Sequence, residues 1–283
     1  MKVFITGSKG FIGRELLAQC KKQGIEVIEA DLPEADICSR EIIELMPEGV
    51  DAVIHLAALS RDPECKNRAY ACFNLNVMGT LNLIDAAEKK EAKQFIFASS
   101  EWVYDNCSEK EVKDEESIIN ITNHKSEYAL SKLVSEANLR QKYQYGFCPV
   151  TVLRFGIIYG ARREGGSAVE TLFEAVRTKD EIEVGCLRTG RHFIHVSDIA
   201  AGIIKSIGLN GFELINLSGD KLITLDDVIE ISKKLLGKKP RVIERDPTNP
   251  NVRRISNEKA KKILNWEPEI DLEAGLKALT LIK

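Results

Sequence analysis

Long apolar runs are missing from this sequence. No stretch approaches the roughly 18 residues that a membrane-spanning helix needs, so no membrane partner is expected. Charge of one sign is lacking too. With 40 Lys and Arg against 43 Asp and Glu, a formal net charge of −3, the chain has no basic field for nucleic acid or an anionic membrane surface. Paired cysteines are also absent: Cys20, Cys38, Cys65, Cys72, Cys107, Cys148 and Cys186 are scattered, with no Cys-x-x-Cys among them. That argues against a zinc site or redox dithiol and for reduced, mostly buried thiols, with no metal. Neither an internal repeat nor a low-complexity tract is seen. Met1-Lys2 leads straight into a strand-like segment without a signal-peptide pattern, so a cytoplasmic location is expected. What is present is an ordinary globular composition, 44% hydrophobic and 29% charged over 283 residues, enough for a sizeable core in one large domain or two unequal ones.

Short β-branched and aliphatic runs alternate with longer amphipathic stretches over the first half of the chain. Val3-Phe4-Ile5, Glu26-Val27-Ile28, Ala52-Val53-Ile54, Gln94 to Ala98 and Val150 to Leu153 read as strands. Helices are expected at Arg14–Lys22, Arg40–Leu45, Asn76–Lys90 and Tyr128–Tyr143. This alternation predicts an α/β fold of the Rossmann type, a doubly wound parallel sheet of six strands. Beyond Phe155 the alternation weakens, so residues 1–155 read as a nucleotide-binding domain and 156–283 as mainly a smaller C-terminal α/β lobe. A helix near 197–207 is expected to return to the first domain. Thr224, followed by Asp226 and Asp227, reads as the N-cap of a further helix ending by Gly237.

Gly7, Gly10 and Gly13 in Thr6-Gly7-Ser8-Lys9-Gly10-Phe11-Ile12-Gly13 stand between the first strand and the first helix. In that position Gly7 permits a tight turn, Gly10 lets backbone approach a pyrophosphate, and Gly13 lets helix pack on strand. The N–H groups of the helix start, at Phe11 and Ile12, face the anion. Asp31 ends the second strand about twenty residues on, where a carboxylate accepts from both ribose hydroxyls and repels a 2′-phosphate, favouring NAD over NADP. Asp36 and Ile37 are candidates to meet the adenine, and Leu56, Ala57 and Ala58 offer small side chains beside the cofactor.

Tyr128-Ala129-Leu130-Ser131-Lys132 puts a phenol and an ammonium on one helical face. Such spacing arises readily by chance, so its weight comes from position: it opens the helix after the strand ending Ser99-Ser100, at the carboxyl edge where doubly wound sheets bind ligands. A nearby cation and the positive nicotinamide ring are expected to lower the phenol pKa. Tyr128 then acts as base toward an alcohol and acid toward a ketone, with Ser100 hydrogen-bonding the same oxygen.

The glycine series, His55-Leu56-Ala57-Ala58, Asn76-Val77-Met78-Gly79-Thr80, Ser99-Ser100 through Tyr104, Tyr128/Lys132, Arg191 to Asp198 and the closing Leu264-Asn265-Trp266-Glu267-Pro268 together resemble the extended short-chain dehydrogenase/reductases. Within them the resemblance is to the NAD-dependent epimerase/dehydratase group that modifies nucleotide-linked sugars. It implies NAD as cofactor, a nucleotide-diphosphate sugar as substrate and a homodimer paired through two helices. Ser100, Tyr128 and Lys132 become the catalytic set, Arg191 the residue holding the nucleotide diphosphate by its bidentate fork, and Glu101 a substrate contact.

Four departures accompany the resemblance. The Asp31 to Asp36 segment is short enough for the family's third strand to be trimmed away. Ile157 takes the place of a usual Asn, and Asp105 that of a usual Gly. The stretch from Gly160 to Arg191 is short for a loop covering the nucleotide. The reactions in view are C4 epimerisation through a 4-keto sugar, 4,6-dehydration and reduction of a 4-keto sugar by NADH. A non-catalytic nucleotide-binding subunit is a further reading, against which the intact Ser100, Tyr128 and Lys132 speak. Trp102 occupies a position where 4,6-dehydratases generally carry an acid, and an indole nitrogen only donates, so epimerisation is the expectation.

Overall fold

The computed structural model describes residues 1–104, 108–162 and 165–280; the departure at Asp105 and the thiol of Cys107 lie outside them. The chain divides into two compact units. The first comprises Met1–Asp105, Ser117–Phe155 and Ala200–Ile215, and the second Asn106–Glu116, Gly156–Ile199 and Asn216–Lys283.

Six strands form one parallel sheet: β1 (Lys2–Thr6), β2 (Glu26–Ala30), β3 (Ala52–His55), β4 (Phe95–Ser100), β5 (Val150–Phe155) and β6 (Phe212–Leu217). Their order is β6-β5-β4-β3-β1-β2. Every residue of β3, β4 and β5 is buried, as a sheet covered on both faces requires. By contrast β2 is the sheet edge and half exposed, with Glu26 and Glu29 pointing to solvent. No strand lies outside it among the described residues, so the third strand of the family pattern is indeed trimmed, and charged side chains guard the edge instead.

The flanking helices are α1 (Phe11–Lys22), α2 (Ile42–Leu45), α3 (Gly79–Lys89), α4 (Glu127–Gln144) and α5 (Val196–Lys205). Phe4, Val53, Leu83, Ile84, Phe95, Phe97, Leu139, Val150 and Val152 form the core between sheet and helices. Each large side chain so buried contributes about 1.5–3 kcal/mol. The helix expected from Asn76 begins differently: Asn74–Met78 is a π turn ahead of α3. Side chains take the carbonyl of Asn76 there, Thr80 Oγ1 at 2.6 Å and Ser135 Oγ at 3.0 Å, in place of a regular backbone ladder.

The second unit packs helices Ala168–Thr178, Leu225–Leu236 and Leu272–Leu279 around Tyr159, Phe173, Ile182, Val228 and Leu276. Thr224 caps Leu225–Leu236 as its sequence indicates: Oγ1 accepts from Asp227 N at 3.1 Å, Asp227 Oδ2 accepts from Thr224 N at 2.8 Å, and Gly237 closes the helix at φ 64°. Trp266 Nε1 donates to Asp198 O at 3.0 Å, and the Asp198 carboxylate accepts from Glu269 N and Ile270 N, so the closing Trp-Glu-Pro segment is anchored on the first turn of α5. Ile157 packs, half buried, against this apolar cluster.

Candidate active site

Each glycine of the loop answers to a different constraint. Gly7 has φ +73°, and a Cβ there would stand 2.7 Å from Ala57 N. A Cβ on Gly13 would stand 2.3 Å from Gly7 O. For Gly10 the backbone is ordinary, at φ −70°, and a Cβ would meet one atom, Gly7 O, at 3.1 Å. The protein itself thus demands glycine at Gly7 and Gly13, whereas Gly10 leaves open the space a pyrophosphate would take. No side chain caps α1 and no acid lies in its first turn, so the positive end of the helix dipole stays available to an anion. In α4, Ser126 and Glu127 fill those roles.

Asp31 lies against the loop: Oδ2 accepts from Lys9 N and Oδ1 from Leu32 N, each at 2.8 Å. Leu56 N donates to Thr6 O at 3.1 Å and Ala57 N to Thr6 Oγ1 at 3.4 Å, which carries Leu56, Ala57 and Ala58 alongside Gly7. Asp36 Oδ1 accepts from Cys38 N at 2.8 Å. Ile37 is buried against Gly79 and Asn82 Nδ2 donates to its carbonyl at 3.0 Å, so its side chain belongs to the core and what it offers an adenine is backbone. This donor set fits a dinucleotide.

Ser100, Tyr128 and Lys132 come together at the carboxyl end of β4. Tyr128 is buried, and the Ser100 hydroxyl lies near enough to act on its phenol. Lys132 Nζ donates to Ala98 O at 2.8 Å and stands 5.9 Å from the centre of the Tyr128 ring. Burial pushes the phenol up to about 12, with the Ser100 hydrogen bond pulling the other way. Burial brings the lysine down to about 8, opposed by Cys72, Glu136 and Cys65. The lowered phenol pKa that the sequence suggests is therefore not a property of the chain alone, because desolvation outweighs the hydrogen bond; it requires the cofactor's positive ring.

Cys65, Cys72, Leu59 and Trp102 pack with Tyr128 in one small apolar cluster. Glu101, fully buried, opens the helical turn Glu101–Val103, whose Trp102 N donates to Ser100 Oγ at 3.2 Å. Arg191 is in the second unit, where its guanidinium donates to Gly190 O and Asn251 O, at 2.8 and 2.5 Å, and to Asn251 Oδ1 at 2.9 Å.

The sequence pattern of the "NAD dependent epimerase/dehydratase family" matches residues 3–213. The chain belongs to that family. Its cofactor is NAD. A UDP-glucuronate 4-epimerase of Thermodesulfobacterium geofontis is 30% identical over 233 residues, 81% of this chain and 71% of that protein. UDP-glucuronic acid decarboxylase 1 of Arabidopsis thaliana is 24% identical, over 98% of this chain and 68% of its own. Among solved structures, a UDP-glucose 4-epimerase of Thermotoga maritima with UDP-glucose superposes with a TM-score of 0.86 at 24% identity, covering 98% and 97% of the two chains, and so shares the fold.

Within this epimerase/dehydratase framework, the motif reading gave no contact to Asn76 and no role to Glu136 or Arg154. Asn76 clamps the Ala57-Ala58-Leu59 segment: Oδ1 accepts from Leu59 N at 2.8 Å, and Nδ2 donates to Leu59 O and to Ser131 Oγ, each at 3.0 Å. Glu136 and Arg154 form a buried ion pair beside Lys132. Both carried a signal: Glu136 continues the four-residue spacing from Tyr128 and Lys132, and a lone Arg in the buried strand Val150–Phe155 has to find a carboxylate.

Proposed function

We propose that this protein is an NAD-dependent nucleotide-sugar 4-epimerase acting through a 4-keto intermediate. The observation that carries the reading is the Ser100–Tyr128–Lys132 cluster with Trp102, not a carboxylate, packed against Tyr128. Tyr128 Oη takes the proton of the C4 hydroxyl and later returns it, Ser100 Oγ orients that oxygen, and the Lys132 ammonium stabilises the phenolate. Bound NAD supplies the hydride chemistry at C4. Elimination of the C6 hydroxyl calls for paired acid and base, and the indole can be neither. Relatives named 4-epimerases support the choice, and those named decarboxylases use the same class of UDP-linked sugar acid.

The glycine loop, with Phe11, Ile12, Asp31, Asp36, Ile37 and the Leu56-Ala57-Ala58 segment, is assigned to NAD. Glu101 is assigned to the substrate and Arg191 to its diphosphate. The working assembly is a homodimer in the cytoplasm.

Incubation with a panel of UDP-, dTDP-, GDP- and CMP-sugars, with and without added NADH, tests the reaction. C4 inversion gives a product of unchanged mass and no net consumption of NADH. Loss of water would establish a dehydratase, loss of carbon dioxide from a sugar acid a decarboxylase, and stoichiometric oxidation of NADH with a keto-sugar a reductase. Arg191→Ala should weaken nucleotide-sugar binding far more than NAD binding.

A further inference from the structure

Three consecutive residues at the end of β4 grip three side chains of α4. The Ser100 hydroxyl faces Tyr128, Ala98 O accepts from Lys132 Nζ at 2.8 Å, and Ser99 Oγ donates to Glu136 Oε1 at 2.5 Å. Tyr128, Lys132 and Glu136 are spaced four residues apart and share one helical face. Arg154 is the register partner of Ser99 on the neighbouring β5. It closes on Glu136 bidentately, Nε to Oε1 at 3.0 Å and Nη2 to Oε2 at 2.6 Å, and its guanidinium lies 4.8 Å from the centre of the Tyr104 ring. The two side chains are only 5% and 10% exposed.

The geometry points to Glu136, clamped by Ser99 and Arg154, as a positioning residue that holds the Lys132 ammonium in its charged form beneath Tyr128. The inference rests on the proton-transfer reading of Tyr128 and Lys132 given above. Taking a carboxylate and a guanidinium out of water is expensive, and an apolar pair of similar volume commonly serves stability as well or better. A structural role alone therefore does not explain the pair. An anion one helical turn beyond Lys132, in a low-dielectric setting, opposes the desolvation that would otherwise strip the lysine of its proton.

The groups facing Lys132 are few. On its own helix they are Tyr128 and Glu136; from the short helices Asp62–Cys65 and Ala69–Phe73 come Cys65 and Cys72; from β3 comes His55. Burial pushes Cys65 up to about 12 and His55 down to about 3, so both are neutral at physiological pH. Glu136 is the carboxylate of the set, and Arg154 of β5, the remaining charged group at this end of the helix face, is engaged by it at 2.6 Å.

The test reads Lys132 directly. In full-length protein labelled with ¹³C-lysine, the Lys132 side-chain resonance, assigned by its loss in Lys132→Met, is titrated by NMR. Glu136→Gln keeps the shape and removes the charge, but strands the Arg154 guanidinium and is liable to unfold. The double variant Glu136→Gln/Arg154→Met removes anion and cation together, so it is read against Arg154→Met, which removes the cation alone. In the folded double variant the Lys132 titration should lie about one pH unit below that of Arg154→Met, and the alkaline limb of kcat should move down with it. Glu136→Asp should hold both near their original positions.

A folded double variant whose Lys132 titrates as it does in Arg154→Met would overturn the inference, even if turnover were lost, because loss of turnover alone is what a merely structural pair would show. The NMR titration needs no turnover. It therefore stays separate from the proton-transfer reading, which would fail on its own if Tyr128→Phe retained activity.

Discussion

Lys132 Nζ is tethered to the carbonyl of Ala98, two residues before Ser100, at 2.8 Å. The strand therefore positions the ammonium, and the reach from Lys132 to Tyr128 is set before any substrate arrives. Pre-set charges of this kind stabilise a developing phenolate without reorganisation at the moment of reaction.

From that arrangement, Tyr128→Phe should leave the fold and NAD binding intact while lowering turnover roughly 10²–10⁴-fold, since only the transferable proton is removed. Ser100→Ala should cost less, because its hydroxyl orients the reacting oxygen and does not carry the proton. Steady-state kinetics beside NAD titration calorimetry decides the point; near-normal turnover in Tyr128→Phe would move the proton-transfer role to another group.

The three loop glycines should respond differently to alanine. Gly13→Ala places a methyl within 2.3 Å of Gly7 O and should lower thermal stability sharply, with or without ligand. Gly10→Ala meets a single backbone oxygen at 3.1 Å and should fold with a small loss, yet bind NAD poorly. Thermal melts with and without NAD separate the two effects, and unweakened NAD binding by Gly10→Ala would show that the pyrophosphate does not lie there.

Cofactor preference should follow Asp31. The unmodified protein should bind NAD well and NADP poorly, through like-charge repulsion of the 2′-phosphate, and Asp31→Ala should narrow the gap. Equal affinity of the unmodified protein for the two cofactors in titration calorimetry would remove Asp31 from that role.

His55 makes stability fall in acid. Its ring bridges Thr6 Oγ1 at 2.8 Å and Thr80 Oγ1 at 2.9 Å, and burial lowers its pKa from 6.5 to about 3, with the Lys132 charge acting in the same sense. Between those values the unfolded chain binds a proton that the folded chain refuses. The stabilisation is full above pH 6.5 and is lost as pH falls toward 3; at pH 5 the loss from this one residue is about 2 kcal/mol. Urea unfolding at pH 7 and pH 5 should show a smaller pH effect in His55→Gln than in the unmodified protein. An identical pH effect in the two would assign the acid sensitivity elsewhere.

Much of this protein was legible in the sequence because its signals are local. Continuous apolar runs define strands buried on both faces, the glycine spacing between β1 and α1 defines a phosphate-binding turn, and Thr224 with Asp227 defines a helix start, each within a few residues of itself. The six-strand sheet and the short chain after Asp31, which leaves β2 at the edge, followed from such signals. Motif positions likewise singled out Ser100, Tyr128 and Lys132 as candidates.

Tertiary structure decided what depends on residues far apart in the chain. Only the register of β4 against β5 sets Arg154 opposite Ser99 and so within reach of Glu136, and only burial tells that the Tyr128 phenol rises to about 12 while Lys132 falls to about 8. Desolvation is a property of the surroundings and not of a residue type, and spacing along a chain carries no record of it. The π turn at Asn74–Met78 has the same origin: its carbonyl at Asn76 is taken by Thr80 and Ser135, and that competition exists only once α3 and α4 have packed together.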